Sequence, residues 1–319
     1  LLISYLSNRI QKLDVNGRRS PGTPLILQGS ILGPFLFSIY INDLPFYAQA
    51  FCDIVLFADD TSLIFKTDRC KQSYSDVNNA LSQVMNWFSI NNLVLNPKKT
   101  KCVKFALPNV KDYERIININ NEPLEILDST VFLGVTIDKK FQWGPHITAL
   151  STRLSSAAYA VHKIRQLTDE PTARLVYYSY FHSVMSYGIL IWGNAADINN
   201  IFVLQKRAIR SIFQLGSKDS LRQKFKEINV LRVPSQYIYS NIMFVYKNIK
   251  KFKKTSDVHN VNIRMNNSFM GNCIRFFNKI PDDVACLTLN RFKSHVKSKL
   301  MEKAYYKVVD YINDKNAWS

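Results

Sequence analysis

The chain has 319 residues, of which 47% are hydrophobic, and it contains 20 Phe and 16 Tyr. This content is enough for a packed core, which excludes a wholly disordered protein. The formal net charge is +18, and it is concentrated in the second half: residues 151–319 hold 27 Lys and Arg against 11 Asp and Glu, whereas residues 1–150 hold 15 against 13. We therefore expect the second half to meet a partner rich in negative charge, such as a nucleic acid or an anionic membrane surface.

The cysteines and the first residues indicate the cellular setting. The five cysteines form no C-x-x-C pair and have no His partner at ligand spacing, which indicates free thiols in a reducing compartment. The first residues lack the features of a signal peptide, and the absence of an initiator Met suggests that the protein begins upstream. We expect an intracellular protein, in the nucleus or the cytoplasm and not secreted. The Lys-rich residues 247–254 are explained either by a nuclear signal or by a solvated charge run.

The first elements predicted in chain order are a turn-rich approach, a helix and a hairpin. Residues 1–30 are polar and rich in Gly and Pro, which is typical of loops and hairpins. Residues 30–41 form a continuous apolar run that predicts a buried helix. Two strand-like runs, residues 51–58 and 61–65, then flank Asp59 and Asp60, which predicts a hairpin with this pair as its two-residue tip.

The following elements complete an α+β pattern. Residues 75–90 predict an amphipathic helix, residues 93–105 a strand, a turn and a second strand, and residues 131–138 one strand with a central Gly. The order fits helices that cover one face of an antiparallel sheet.

After residue 142 the pattern changes to helices with basic faces, predicted over 146–167, 171–191, 198–215, 234–250 and 292–312. The span 175–192 is apolar, but its His, Ser and Tyr residues favour a buried helix over a membrane span. Residues 247–268 are polar and predict a linker. We therefore expect three domains: an α+β domain over 1–142, a basic helical domain over 143–250, and a linker with a helical extension over 251–319.

Asp59 and Asp60 are the residues that most suggest chemistry. Alternate residues of a strand face the same way, so Asp53, Val55 and Phe57 are predicted to share a face with Asp59. Two adjacent carboxylates repel each other, and a divalent cation can hold them together. Nucleotidyl transfer uses such an arrangement, since two metal ions about 3.5–4 Å apart stabilise the attacking and leaving oxygens. Asp is also a common turn residue, so an ordinary hairpin turn is the alternative explanation.

Four motifs then occur in order along the chain: QGSILGPFLFSIYINDLP (28–45), FADD (57–60), LNPKKTK (95–101) and FLGVTID (132–138). Together they resemble the reverse transcriptase of jockey-like non-LTR (LINE-type) retrotransposons, as a C-terminal fragment. In that family they correspond to the helix beside the nucleotide pocket, the active-site hairpin, the end of the palm core and the primer grip. Residues 187–193, 204–210 and 277–281 are similar to the tail of the same proteins, so the resemblance extends over essentially the whole chain.

The resemblance implies a fold and an activity. The fold would be a partial polymerase palm, an antiparallel sheet with covering helices, followed by a mainly helical, thumb-like region. The activity would be that of an RNA-directed DNA polymerase, a nucleotidyltransferase that uses Mg²⁺ or Mn²⁺ and dNTPs on an RNA template with a DNA primer. Asp59 is expected to bind the metal directly, with Asp60 as its supporting carboxylate.

Further residues are assigned by the same resemblance. Gln28 and Gly29 would lie against the incoming nucleotide and the template, and Lys99 would approach the triphosphate. Leu133 and Gly134 would contact the primer. Each assignment has a plainer alternative: a helix entry for Gln28 and Gly29, a solvated charge for Lys99, and a β-bulge at Gly134.

Three basic residues are candidates for phosphate contacts in the second half. Lys206, Arg207 and Arg210 fall within a turn and a half of one predicted helix, a spacing suited to the nucleic-acid backbone. A solvated helix face explains them as well.

Two features depart from the family. Leu27 stands where the family usually has a Pro before the Gln, and the family's further metal-binding Asp, on a strand upstream of that Gln, has no counterpart. Asp14, the only upstream carboxylate, matches the region after that strand. We therefore expect a polymerase domain truncated upstream of its first metal-binding Asp and poorly active by itself. The alternatives are a non-catalytic, nucleic-acid-binding remnant of such a polymerase, or a host protein that has reused the fold to bind a partner.

Overall fold

The computed structural model describes residues 10–11, 14–15, 18–19, 21, 23–24, 32–50, 52–66, 75–105, 117–119, 122–249 and 268–318. Helices and short antiparallel strand pairs are mixed along the chain, which confirms the α+β class. Two compact units are present, one of residues 1–102 and 109–126 and one of residues 103–108 and 127–319. The expected domain boundaries near residues 142 and 250 stay predictions.

The strands of the first unit are mostly very short. The first four pair as β1 with β4 and β2 with β3, over Ile10–Gln11 (β1), Asp14–Val15 (β2), Arg18–Arg19 (β3) and Thr23–Pro24 (β4). The longest pair is the hairpin of Asp53–Phe57 (β5) and Asp60–Ile64 (β6). Four two-residue strands follow at Cys102–Val103 (β7), Asn118–Ile119 (β8), Glu122–Pro123 (β9) and Ile126–Leu127 (β10).

Three helices accompany the β5–β6 hairpin in the first unit: Leu32–Tyr40 (α1), Leu44–Ala48 (α2) and Ser75–Ile90 (α3). Their shared core is small and is formed by Ile41, Leu44, Ala48, Cys52, Val84 and Trp87. Helix α3 follows its predicted amphipathic pattern, since Val77, Val84 and Trp87 are buried on one side.

Two predictions for the first unit were wrong. Helix α1 forms where expected, but none of its residues is buried, because only its Phe37 side packs against the small core. Residues 93–96 form no strand. Asn96 instead closes a turn over residues 97–99, where its carbonyl accepts hydrogen bonds from the N–H groups of Lys99 and Thr100.

The second unit begins with a hairpin where one strand was predicted. Ser129–Phe132 (β11) pairs with Val135–Asp138 (β12), and the central Gly134 lies in the turn between them. Asp138 is buried at the end of β12, where its carboxylate accepts hydrogen bonds from the N–H groups of Lys140, Gln142 and Trp143. These hydrogen bonds fix the loop that precedes the next helix.

Helices pack around one large apolar core in the rest of the second unit. They span Gly144–Leu167 (α4), Glu170–Val176 (α5), Ser183–Ser186 (α6), Ile189–Trp192 (α7), Ile198–Phe213 (α8), Arg222–Glu227 (α9), Val233–Lys247 (α10), Phe269–Phe277 (α11), Asp282–Ala285 (α12), Leu289–Lys303 (α13) and Val308–Asn313 (α14). The linker predicted at 247–268 lies almost entirely outside the described residues.

Two predicted helices are divided. A π-helical turn, Tyr177–His182, lies between α5 and α6, and Gly188 at φ +63° then separates α6 from α7. Ala304, also at positive φ (+54°), ends α13, so the helix predicted over 292–312 becomes two. Left-handed backbone cannot continue a right-handed helix, which explains both breaks.

Candidate active site and nucleic-acid interface

The hairpin that carries the acidic pair has a two-residue tip. Strand register pairs Phe57 with Asp60, so the tip is Ala58 and Asp59, and Asp60 is the first residue of β6. The predicted Asp59-Asp60 tip is therefore displaced by one residue. Ala58 adopts φ +50°, because a two-residue hairpin turn requires positive φ at its first position.

The two faces of the hairpin have different surroundings. Ile54 and Leu56 pack against the small core, whereas Phe57 is 60% exposed on the opposite face. Because directly paired residues lie on the same face, Asp60 shares the open face with Phe57. Both Asp59 and Asp60 are exposed, so their carboxylates are accessible to an ion or a ligand.

The third acid of the hairpin is at its far end. Asp53 pairs with Ile64 in the register and forms an ion pair with Lys66, with 3.0 Å between Oδ2 and Nζ. In the described part of the chain, no group of three or more His, Cys, Asp or Glu side chains could hold a metal ion. Asp59 and Asp60 are therefore not joined by a third such side chain among the described residues.

The residues assigned to the nucleotide are only partly described. Gln28 and Gly29 fall outside the described residues. Lys99 is the last residue of the Asn96 turn, and its side chain is exposed. Within the described ranges, no hydrogen bond or ion pair joins Lys99 to Asp59 or Asp60.

Leu133 and Gly134 form the turn of the β11–β12 hairpin, at φ +46° and +79°. The alternative of a β-bulge at Gly134 is therefore wrong, since a left-handed turn accounts for the glycine. The Tyr187 hydroxyl donates a hydrogen bond of 2.6 Å to the Leu133 carbonyl, and the Tyr187 ring lies 3.4 Å from where a Cβ on Gly134 would stand. Tyr187 lies in the break between α6 and α7 and stabilises this turn through its hydroxyl group. The sequence alone assigned no role to this residue.

The three basic candidates on α8 differ in their surroundings. The Lys206 ammonium lies 4.7 Å from the centre of the Phe202 ring, and the Arg210 Nε donates a hydrogen bond to the Gly216 carbonyl. Arg207 is exposed. All three lie on one helix, α8, whose opposite side is buried. Part of the hydrogen-bonding capacity of Arg210 is used by the loop after the helix.

Gln205 in the same motif is structural. It is fully buried, and its amide donates to the Leu231 carbonyl and the Tyr177 hydroxyl and accepts from the Val233 N–H, over 2.9–3.2 Å. Burial raises the pKa of Tyr177 far above its usual range. Gln205 therefore connects α8 to the π-helical turn and to the start of α10.

No described helix is long and apolar enough to cross a membrane.

Comparison with known proteins gives one family match and several relatives. Residues 2–137 match the family model for reverse transcriptase (RNA-dependent DNA polymerase). A probable RNA-directed DNA polymerase from transposon BS of Drosophila melanogaster is 31% identical over 228 residues, which cover 66% of this chain and 25% of that protein. The RNA-directed DNA polymerase from mobile element jockey of the same species is 26% identical over 224 residues, covering 66% of this chain and 24% of that protein.

A probable RNA-directed DNA polymerase from transposon X-element of Drosophila melanogaster is also 26% identical, over 229 residues that cover 66% of this chain and 24% of that protein. The chain thus spans about a quarter of the length of the curated relatives it matches. No solved structure matches it significantly.

Proposed function

We propose that the chain is part of the RNA-directed DNA polymerase of a jockey-like non-LTR retrotransposon, because residues 2–137 match the family model for reverse transcriptase. The reaction would join a dNTP to the 3′-hydroxyl of a DNA primer on an RNA template. The observation that carries the proposal is the exposed pair Asp59 and Asp60 beside a two-residue hairpin turn. Residues 1–142 would be part of the palm, and the helical region of residues 143–250 would act as a thumb.

The acidic pair fits a divalent metal ion as two of its ligands. Carboxylate oxygens are the ligands that Mg²⁺ prefers, and Mg²⁺ is usually held by one or two carboxylates together with substrate phosphates and water. Asp59 and Asp60 would therefore hold the ion jointly with the triphosphate. When bound, Mg²⁺ or Mn²⁺ supplies charge stabilisation to the reacting phosphoryl group.

The other assigned residues would position the substrates. Gln28 and Gly29 would contact the incoming nucleotide and the template, and Lys99 would reach the triphosphate. Leu133 and Gly134 would meet the primer end, where a tight left-handed turn leaves backbone open to close approach. Lys206, Arg207 and Arg210 would contact phosphates of the duplex.

The test is Mg²⁺-dependent extension of a DNA primer on an RNA template. The parent chain is expected to extend the primer slowly, and we expect Asp59→Asn and Asp60→Asn to abolish this residual activity, because the metal ion loses a ligand. Asp53→Asn is the matched control, since Asp53 lies on the same hairpin but is paired with Lys66. Activity that survives Asp59→Asn would contradict the proposed role of the pair.

A second candidate function is nucleic-acid binding without catalysis. It is favoured by the charge distribution, since residues 151–319 carry a net charge of +16. In that case the chain binds an RNA–DNA duplex but does not extend the primer, and its affinity falls steeply as salt is added. Affinity that does not respond to salt would exclude phosphate contacts by Lys206, Arg207 and Arg210.

A further inference from the structure

A small cavity lies at the N-terminal end of α10, in the second unit. Its volume is about 10 Å³, which is the room of one water-sized group. Three basic residues line it, Arg222, Lys226 and Arg232, and none of the described residues that line it is acidic. Apart from Ser235, the rest of the lining is apolar.

Arg232 is a buried cation. It is 3% exposed and forms no ion pair in the described part of the chain. Its guanidinium carbon lies 4.2 Å from the centre of the Tyr306 ring, and one of its nitrogens donates to the Ala304 carbonyl at the end of α13. Burial lowers the pKa of Arg232, the neighbouring Tyr306 raises it, and the nearby charge of Arg222 lowers it. A desolvated cation beside a like charge destabilises the folded protein unless an anion binds next to both.

Ser235 carries a buried hydroxyl group. It is 1% exposed, and its hydroxyl has no hydrogen-bond partner within the residues that the structure describes. It is the third residue of α10, near the positive end of the helix dipole. Among its neighbours, Pro234 has no N–H, and the Val233 N–H already donates to Gln205. The Ser235 side chain is therefore a polar group still available to a ligand in this cavity.

From these observations we propose that the cavity binds one phosphate group. One phosphate oxygen enters it and accepts hydrogen bonds from Ser235 and Arg232, while the other oxygens stay at the mouth with the exposed Arg222 and Lys226. An anion at this point is also favoured by the helix dipole of α10. The phosphate comes either from a free phosphate compound or from a nucleic-acid backbone. The site does not depend on the polymerase assignment, since no residue of 2–137 takes part in it.

The first experiment uses the whole chain and inorganic phosphate. Phosphate is titrated against chloride at constant ionic strength, and binding is followed by calorimetry and by thermal unfolding. We expect Ser235→Ala to weaken binding about tenfold, because a hydrogen bond to a charged group is lost. The double change Arg222→Gln with Lys226→Gln is expected to weaken it at least as much, and Lys218→Gln, an exposed cation outside the cavity lining, is the matched control.

Ser235→Ala removes a hydroxyl without removing packed carbon, so we expect this variant to be as stable as the parent without phosphate. If Arg232 serves only to bind the end of α13, phosphate stabilises the protein no more than chloride does, or it stabilises the parent and all variants equally. Either result would overturn the proposal for free phosphate.

The second experiment identifies the source of the phosphate with a short RNA–DNA duplex. If the backbone is the source, the affinity for the duplex falls about tenfold in Ser235→Ala and the inorganic phosphate competes weakly. If a free compound is the source, inorganic phosphate binds and the duplex affinity is unchanged. When neither ligand distinguishes Ser235→Ala from the parent, the cavity holds water alone and the proposal fails.

Discussion

Gly193 allows a steric prediction whose size follows from the structure. The residue has ordinary helical backbone angles (φ −67°, ψ −2°), so conformation alone would permit alanine. A Cβ there would stand 2.3 Å from the Cδ2 atom of Tyr237 and 2.5 Å from the Ile189 carbonyl oxygen. Tyr237 is 1% exposed, so its ring has no open space into which to move. Gly193→Ala gains about 0.4–1 kcal/mol from the reduced entropy of the unfolded chain. Overpacking costs about 1–3 kcal/mol or more.

We therefore expect Gly193→Ala to lower the free energy of unfolding by about 2 kcal/mol, measured by urea denaturation. Gly144→Ala is the matched control, because Gly144 is the first residue of α4 and nothing lies within 4 Å of its added Cβ. That variant should be as stable as the parent or slightly more stable. Equal stability of Gly193→Ala and Gly144→Ala would refute the packing of α7 against α10.

Three other predictions concern hydrogen bonds and charge. Gln205→Leu should lower the free energy of unfolding by about 3 kcal/mol in urea denaturation, because buried backbone groups lose their partners; a loss below about 1 kcal/mol would contradict its connecting role. Tyr187→Phe should cost about 1 kcal/mol, and it should increase hydrogen exchange at the turn it holds; unchanged exchange would show that the hydroxyl does not matter. Burial lowers the pKa of His146, whose Nδ1 accepts the Thr136 N–H, so its stabilising effect is complete above pH 6.5 and is lost as the pH falls below that value. The free energy of unfolding, measured from pH 7 to pH 5, should therefore depend less on pH in His146→Gln than in the parent. An identical pH dependence in the two proteins would show that His146 is not its source.

The hairpin could be predicted from the sequence, but its tip could not. The alternation of Ile54 and Leu56 with exposed residues fixes the strand and its inner face, since a shift by one residue would turn this face outward. The position of the turn depends on Ala58 at φ +50°, and alanine carries no sequence signal for that conformation. Asp residues are the commoner turn signal, and the sequence therefore predicted the Asp pair as the tip.

The sequence also did not predict where two of the helices are interrupted. Gly188 interrupts an apolar run whose periodicity continues on both sides, and Ala304, an excellent helix former, ends α13. At Ala304 the packing of the second unit outweighs local propensity, whereas Gly188 adopts a positive φ readily. The Gln205 hydrogen bonds and the α10 cavity depend on contacts between distant residues, which no local pattern could predict.

The exposure of α1 shows another limit of sequence patterns. A continuous apolar run predicts burial, but Phe35 is 61% exposed and Ile39 58% exposed. The hydrophobicity of a segment indicates that its surface is more stable when buried. It does not identify the part of the protein, or the partner, that covers this surface.

The central claim is that Asp59 and Asp60 together bind a divalent metal ion. The most direct test is a titration of the chain with Mn²⁺, followed by electron paramagnetic resonance in the presence and absence of a nucleoside triphosphate. We predict a bound ion whose affinity rises with the triphosphate, is lost in the double variant Asp59→Asn with Asp60→Asn, and is retained in Asp53→Asn. Equal Mn²⁺ binding by the double variant and the parent would contradict the claim.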